Sequence, residues 1–403
     1  MTDWILTLNA GSSSLKFAVF EVASAGPVLR AGGQIEGIGT SPHLVLRSGH
    51  GEVLDERRLT IAETERPATT LGWAIAALLD NVPQARLTAV GHRVVHGGPG
   101  YGTPVQVDDI VLAELRRLAP LAPLHQPHNI AGIESCKVQF PDAMQIACFD
   151  TAFHRTHSWV ADTFALPRAY YDKGVRRYGF HGLSYESVMQ QLRTSAPAAV
   201  SGRLVVGHLG AGASMCAIRD GRSIGSTMGF SALDGLPMGT RCGQLDPGVV
   251  LYLIEEEGMN SREIADLLYR QSGLKGLSGL SGDVRDLEAA GSVAAEQAMD
   301  YFACRTIREV GALAATLGGL ESLVFCGGIG ENSWRMRDRI CRDLDWLGVR
   351  LEEAANRSAR FVISSDSSRV KVFVVRTNEE AVIARHVLSC LGLRSAQSPS
   401  LVS

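Results

Sequence analysis

The stretch Ile5-Leu6-Thr7-Leu8-Asn9-Ala10-Gly11-Ser12-Ser13-Ser14-Leu15-Lys16-Phe17-Ala18-Val19-Phe20 decides the fold class. Ile5–Leu8 is a short apolar run that stops at six small or polar residues, Asn9 to Ser14, before Leu15–Phe20 resumes it. Two apolar runs around a Gly/Ser-rich turn predict a hairpin of paired strands. The plan returns in the second half, with Leu204–Val206 as a strand, Gly207–Ser214 as the turn and Met215–Ile218 as the returning strand. A shift of 200 residues lays the segment starting at Ser14 on the one starting at Ser214. A repeated strand–turn–strand unit predicts a duplicated architecture with one such hairpin in each domain.

Outward from the hairpins, strands alternate with helices, so the chain is α/β. Thr69–Leu79 and Val111–Leu118 follow helical spacing, and Pro120 stops the second. Thr88–Val95 and Gln145–Phe149 are expected strands that deliver His96-Gly97-Gly98 and Asp150 at their ends. Further on, Val293–Leu317 reads as a long helix, and Leu323–Cys326 and Val370–Val375 as strands. Glu379–Leu391 reads as a helix opened by the N-cap pair Thr377-Asn378. No linker stands out by composition, so the repeat sets the boundaries: 1–150 with 381–403 in one domain, 151–380 in the other.

The 403 residues exceed a single core, and 45% hydrophobic content excludes general disorder. A net charge of -3, from 39 Lys+Arg against 42 Asp+Glu, carries no footprint for nucleic acid or an anionic membrane. The eight cysteines are scattered without a C-x-x-C pair, and several sit in apolar runs, as Cys148 and Cys326 do. Such usage suits buried thiols in a reducing compartment. With no basic leader and no long apolar span at the amino terminus, a cytoplasmic location is expected.

Three Gly-rich turns follow apolar strands: Asn9–Ser14, Gly207–Ser214 and Gly327–Asn332. Small residues there let backbone N–H groups approach an anion, which points to a nucleotide phosphate cradle. None has the P-loop pattern, and Gly327-Gly328-Ile329-Gly330-Glu331-Asn332 lacks the dinucleotide spacing. Beside these turns lie Gly91-His92-Arg93, Leu121–His125, Tyr178-Gly179-Phe180-His181 and Met238-Gly239-Thr240-Arg241. Arginines in Gly-flanked loops can grip a carboxylate or phosphate in bidentate fashion.

These motifs together resemble the acetate kinase family. Asn9–Phe17, Gly91–Gly98, Phe149–His154, Tyr178–Gly182, His208–Gly210, Met238–Arg241, Gly327–Asn332 and Asn378–Glu380 occur in the family's order, from Ile5 to about Ala384. The resemblance implies a duplicated actin-like (ribonuclease H-like) ATPase fold and a homodimer. It implies Mg²⁺-dependent (or Mn²⁺-dependent) in-line phosphoryl transfer between ATP and acetate. The first domain would hold the acyl substrate, the second the nucleotide. Asn9 and Glu379 would serve the metal. Lys16, the turn His208-Leu209-Gly210-Ala211-Gly212, Asp283-Val284-Arg285 and Gly327-Gly328-Ile329-Gly330-Glu331 would serve ATP or ADP. Arg93, Arg241, His181, His125 and Asp150 would be catalytic, with Asp150 orienting Arg93 or metal-bound water, because acetate has no proton to lose near neutral pH. Val95, Leu124, Phe180 and Ala232, with Arg93, would form the acyl pocket.

The chain departs from the family's usual residues at four places: Ala211 and Gln126 for Asn, Tyr185 for His and Ala232 for Pro. Ala232 leaves propionate or a related short-chain acid open as the substrate. A different chemistry is also open. Asp150, His154 and His157 fall at i, i+4 and i+7, so on a helix they would share a face as a zinc-hydrolase set.

Overall fold

The computed structural model describes residues 3–11, 14–82, 86–123 and 125–393. Ser12, Ser13 and Leu124 lie outside the described residues, as does the chain beyond 393. The chain divides into two compact units, residues 1–152 with 378–403, and residues 153–377.

In the first unit, strands β1 (Asp3–Ala10), β2 (Ser14–Ala23) and β3 (Gly26–Glu36) form an antiparallel meander. β4 (His43–Ser48) and β5 (Val53–Arg58) extend it. On the other side of β1, β6 (Arg86–Val94) and β8 (Met144–Phe149) join in parallel, and the short β7 (Val105–Gln106) closes the edge. The core five strands therefore run in the order β3-β2-β1-β6-β8. In the second unit, β9 (Arg203–Leu209), β10 (Ala213–Arg219) and β11 (Arg222–Ser226) form the meander, and β12 (Ser322–Cys326) and β13 (Lys371–Val374) add in parallel. The order β11-β10-β9-β12-β13 is the same plan with the same strand directions. Each unit thus carries one copy of the actin-like sheet, and the fold is a duplication.

The cores follow from the strand patterns. In the first unit Leu6, Leu8, Phe17, Val19 and Ile35 pack with Leu71, Ala74, Ile75 and Leu78 of the helix Pro67–Asn81. Further along the same face, Val94, Ala147 and Phe149 are buried with Leu112, Leu115, Ile130 and Ile133. The helix Glu379–Cys390 belongs to this unit and lies so close to β6 that a Cβ at Gly91 would meet Ile383 Cγ2 at 2.4 Å. In the second unit Leu204, Val206, Cys216, Ile218 and Val324 pack under Tyr185, Val188, Met189 and Leu192 of the helix Gly182–Ser195.

The expected elements are present, with three differences. Asn9 and Ala10 are not turn residues but extend β1, because Lys16 and Leu15 supply their antiparallel partners. Likewise β9 continues through His208 and Leu209, and the second tip is only Gly210–Gly212. The last paired residues are Ala10↔Leu15 in one hairpin and Leu209↔Ala213 in the other. Counted from those pairs, Ser214 corresponds to Lys16, two positions off the 200-residue shift. Finally, Gly327–Asn332 is a short helix and not a turn. Its start is satisfied locally, since the Glu331 carboxylate accepts the Gly327 N–H at 3.0 Å.

Candidate active site

Three neighbouring strands of the first unit bring a charged cluster together at their carboxyl ends. β1 carries Asn9, β6 carries Arg93, and Asp150 follows β8 directly, its N–H donating to Val94 O at 3.0 Å. The carboxyl ends of parallel strands are where open α/β sheets hold ligands. Arg93 Nε donates to both Asp150 oxygens at 3.0 and 3.2 Å, and Nη2 to Oδ2 at 2.5 Å. Its Nη1 donates to Asn9 Oδ1 at 3.0 Å, and Glu379 Oε2 lies 3.9 Å from Nε. The side chain of Arg93 is 19% exposed and that of Asp150 only 1%. Burial works against the guanidinium charge, but the attraction of Asp150 and Glu379 outweighs it and holds the pKa above the ordinary arginine value.

Glu379 opens its helix behind the N-cap Asn378, whose side chain accepts the Ala381 N–H. His125 stands half-buried at the N-cap of the helix Gln126–Gln139. Gln126 exchanges hydrogen bonds with the backbone of His96, which gives that departure a structural role. Asn129, a residue the motifs do not mark, accepts the Val95 N–H and donates to Ala10 O at 2.7 Å, so it ties the ends of β1 and β6 together. Val95 itself is buried.

The second unit gathers a different set. His181 adopts a left-handed conformation (φ 58°, ψ 25°) at the N-cap of the helix Gly182–Ser195, an uncommon geometry for a residue with a Cβ. Such strain is the kind of outlier that marks functional positions. Its ring stacks on His208, with centroids 4.2 Å apart. His181 Nδ1 meets Ser214 Oγ at 2.8 Å, and His208 Nδ1 meets Ser184 Oγ at 2.7 Å. The tip Gly210–Gly212 presses against this pair. A methyl at Gly212 would lie 3.3 Å from His181 Nε2 and 3.8 Å from Arg241 Nη1, so the tip is close to both side chains. Arg241 Nη1 donates to the carbonyl of the half-buried Ala232 at 3.2 Å, and Gly239 N–H donates to Ala211 O at 3.1 Å.

The second and third Gly-rich segments also meet: a Cβ on Gly210 would lie 3.6 Å from Gly328 N. Leu209 and Val284 are buried in the core. Ile329 is half-buried, Gly328 exposed and Gly330 buried. Glu331 Oε1 also accepts the Thr377 N–H, so this carboxylate has a structural role. Asp283 caps the helix Val284–Ala290 and pairs with Arg285, whose side chain is 89% exposed. Lys16 is exposed on β2 opposite Asn9.

The chain matches the model of the Acetokinase family over residues 4–385. The chain belongs to that family. It is 53% identical over 403 residues to the acetate kinase of Methylocella silvestris, covering 98% of this chain and 100% of the relative. With the acetate kinase of Rhizobium meliloti the identity is 48%, over 98% of this chain and all of the relative. Among solved structures, the Porphyromonas gingivalis acetate kinase has a TM-score of 0.85 at 35% identity, covering 96% of this chain and 100% of its own. A propionate kinase from Francisella tularensis has a TM-score of 0.87 at 34% identity, covering 95% and 98%.

The zinc-hydrolase alternative within this family member fails on geometry. Ala152–His154 is a single 3₁₀ turn, so Asp150, His154 and His157 share no helix face. His154 spends both ring nitrogens, on Phe180 O and Ser223 Oγ, and His157 reaches Ser223 and Asp162. Burial, with repulsion from His157 second, pushes the His154 pKa down to about 3 and keeps the ring neutral. Among the described residues no three His, Cys, Asp or Glu side chains are grouped to hold a metal ion.

Proposed function

We propose that the protein transfers the γ-phosphoryl group of ATP reversibly to acetate, giving acetyl phosphate and ADP. The observation that carries this is the half-buried guanidinium of Arg93, oriented from behind by Asp150 and Asn9 at the strand ends. It is a fixed cationic grip for an anion, which suits direct in-line transfer. Arg93 and Arg241 hold the acyl and phosphoryl oxygens, His181 donates to the developing charge, and His125 assists. The backbone of 208–212, with Lys16, 283–285 and 327–331, receives the nucleotide.

Asn9 and Glu379 would hold Mg²⁺ or Mn²⁺, which neutralises phosphate charge when bound. Their sparse, oxygen-only set fits a hard cation that keeps water and phosphate oxygens as its other ligands. A cytoplasmic location follows from the need for ATP, and no helix among the described residues is long and apolar enough to cross a membrane.

A propionate or other short-chain acid kinase is the second reading, favoured by Ala232. Replacing a proline ring by a methyl opens room for about two methylenes, each contributing roughly 0.8 kcal/mol when buried. Acetate remains the preferred substrate, because discrimination by one methylene is modest, about 10–200-fold. ADP formation measured with C2 to C4 acids tests both readings. Ala232→Pro should lower kcat/KM selectively for propionate, and an unchanged propionate-to-acetate ratio removes residue 232 from the acyl pocket. ADP formation indifferent to any added acid overturns the kinase reading itself.

A homodimer is also part of the proposal. The helix Pro247–Glu255 buries none of its residues and exposes Val249, Leu251, Tyr252 and Ile254. So much apolar surface on one helix supports a covered face. Leu251→Asp with Ile254→Asp should turn a sedimenting dimer into a monomer; a dimer that survives both charges places its interface elsewhere.

A further inference from the structure

Tyr185 is fully buried on the helix Gly182–Ser195, one turn after His181. The edge of its ring packs on His154, with centroids 5.6 Å apart, and around it lie Val188, Leu204, Val206 and Cys216. Its hydroxyl is hydrogen-bonded to Ser214 Oγ, the same oxygen that meets His181 Nδ1 at 2.8 Å. Tyr185, Ser214 and His181 therefore form a three-member chain that ends on a ring beside the 210–212 tip. It joins two separate places in the sequence: the helix with its strained N-cap, and β10.

Each hydroxyl in such a chain has one proton, which gives the chain a direction. The phenol lies among apolar side chains, and burial holds its pKa well above the ordinary tyrosine value, so it keeps its proton. Ser214 Oγ is the acceptor that this O–H reaches. The Ser214 proton is then directed to His181 Nδ1, and the imidazole proton must sit on Nε2. Nε2 is the nitrogen that faces the Gly212 backbone, on the side where Arg241 Nη1 also lies. His208 stacks on this ring, and its own Nδ1 is taken by Ser184.

We propose that Tyr185 is a positioning residue that acts through Ser214 to fix neutral His181 in the tautomer with its N–H on Nε2, aimed at the transferring phosphoryl group. This rests on the donor role of His181 proposed above. It also gives a purpose to the departure at this position. A histidine at 185 could accept or donate towards Ser214, whereas a buried phenol donates and holds one direction.

The test is a long-range ¹H–¹⁵N correlation spectrum of ¹⁵N-histidine-labelled protein in mildly alkaline buffer, with His181 assigned by its loss in His181→Asn. The wild type should show Nε2 protonated and Nδ1 bare. Tyr185→Phe should mix the tautomers and lower kcat about tenfold, the worth of one hydrogen bond, with KM for both substrates unchanged. Ser214→Ala should do the same. A wild-type ring protonated on Nδ1 overturns the proposal, even if neither variant folds. So does a folded Tyr185→Phe with the wild-type tautomer and kcat. Full turnover in His181→Asn would instead sink the donor role while the spectrum still decides the link to Tyr185.

Discussion

Arg241→Ala lowers kcat on the order of 10²–10³-fold and leaves the protein folded, the loss typical of removing one donor to transition-state charge. The loop around it is held by its backbone: Met238 N–H donates to Arg241 O, Leu274 N–H to Met238 O and Gly239 N–H to Ala211 O. The contacts of the guanidinium include the bond to Ala232 O and one with Met238 Sδ. Truncation thus deletes charge from the site while these backbone bonds remain. Arg241→Lys should recover little, because a compact ammonium cannot bond the Ala232 carbonyl and grip an oxyanion together. Kinetics of the folded variants decide the matter, and wild-type turnover in Arg241→Ala removes the residue from the mechanism. Arg93→Ala should lose as much activity and, in addition, about 3–5 kcal/mol of stability, since it breaks the ion pair with the buried Asp150 carboxylate.

Asp150→Asn should cost about 10²-fold in kcat while nucleotide binding persists. Both carboxylate oxygens accept from Arg93, and an amide can offer one acceptor to the same three contacts. The guanidinium then loses its fixed plane, and misplacement on the ångström scale carries a penalty of that size. The pH–rate profile separates this from general-base catalysis. Acetate is ionised at working pH, so no proton waits to be removed, and the acid limb of the wild type should persist in the variant. A wild-type limb that follows one carboxylate pKa and vanishes in Asp150→Asn would make Asp150 a base.

The sheets were legible because apolar runs punctuated by small residues have few alternatives. Arg93, Asp150, His181 and Arg241 stood out as polar residues at the ends of such runs. What sequence could not convey is pairing. Asn9 and His208 look like turn residues, yet each has a strand partner across its hairpin, Lys16 and Ser214. Gly327–Asn332 looked like a loop because its three glycines mask a helix whose start depends on Glu331. The contacts of Asn129, Ser184, Ser214 and Tyr185 were hidden for a related reason. A small polar side chain shows no periodicity, and its partners lie 24 to 119 residues away. Val284 and Leu209 show the reverse, residues inside recognised motifs whose side chains serve the core.

The most direct test of the phosphotransferase claim is trapping of the product. Purified protein is incubated with ATP, magnesium and acetate in the presence of hydroxylamine, and acyl hydroxamate is measured against ADP. One hydroxamate for each ADP is expected, with both falling together in Arg241→Ala. ADP accompanied by inorganic phosphate and no hydroxamate would mean that water accepts the phosphoryl group, and the account would be contradicted.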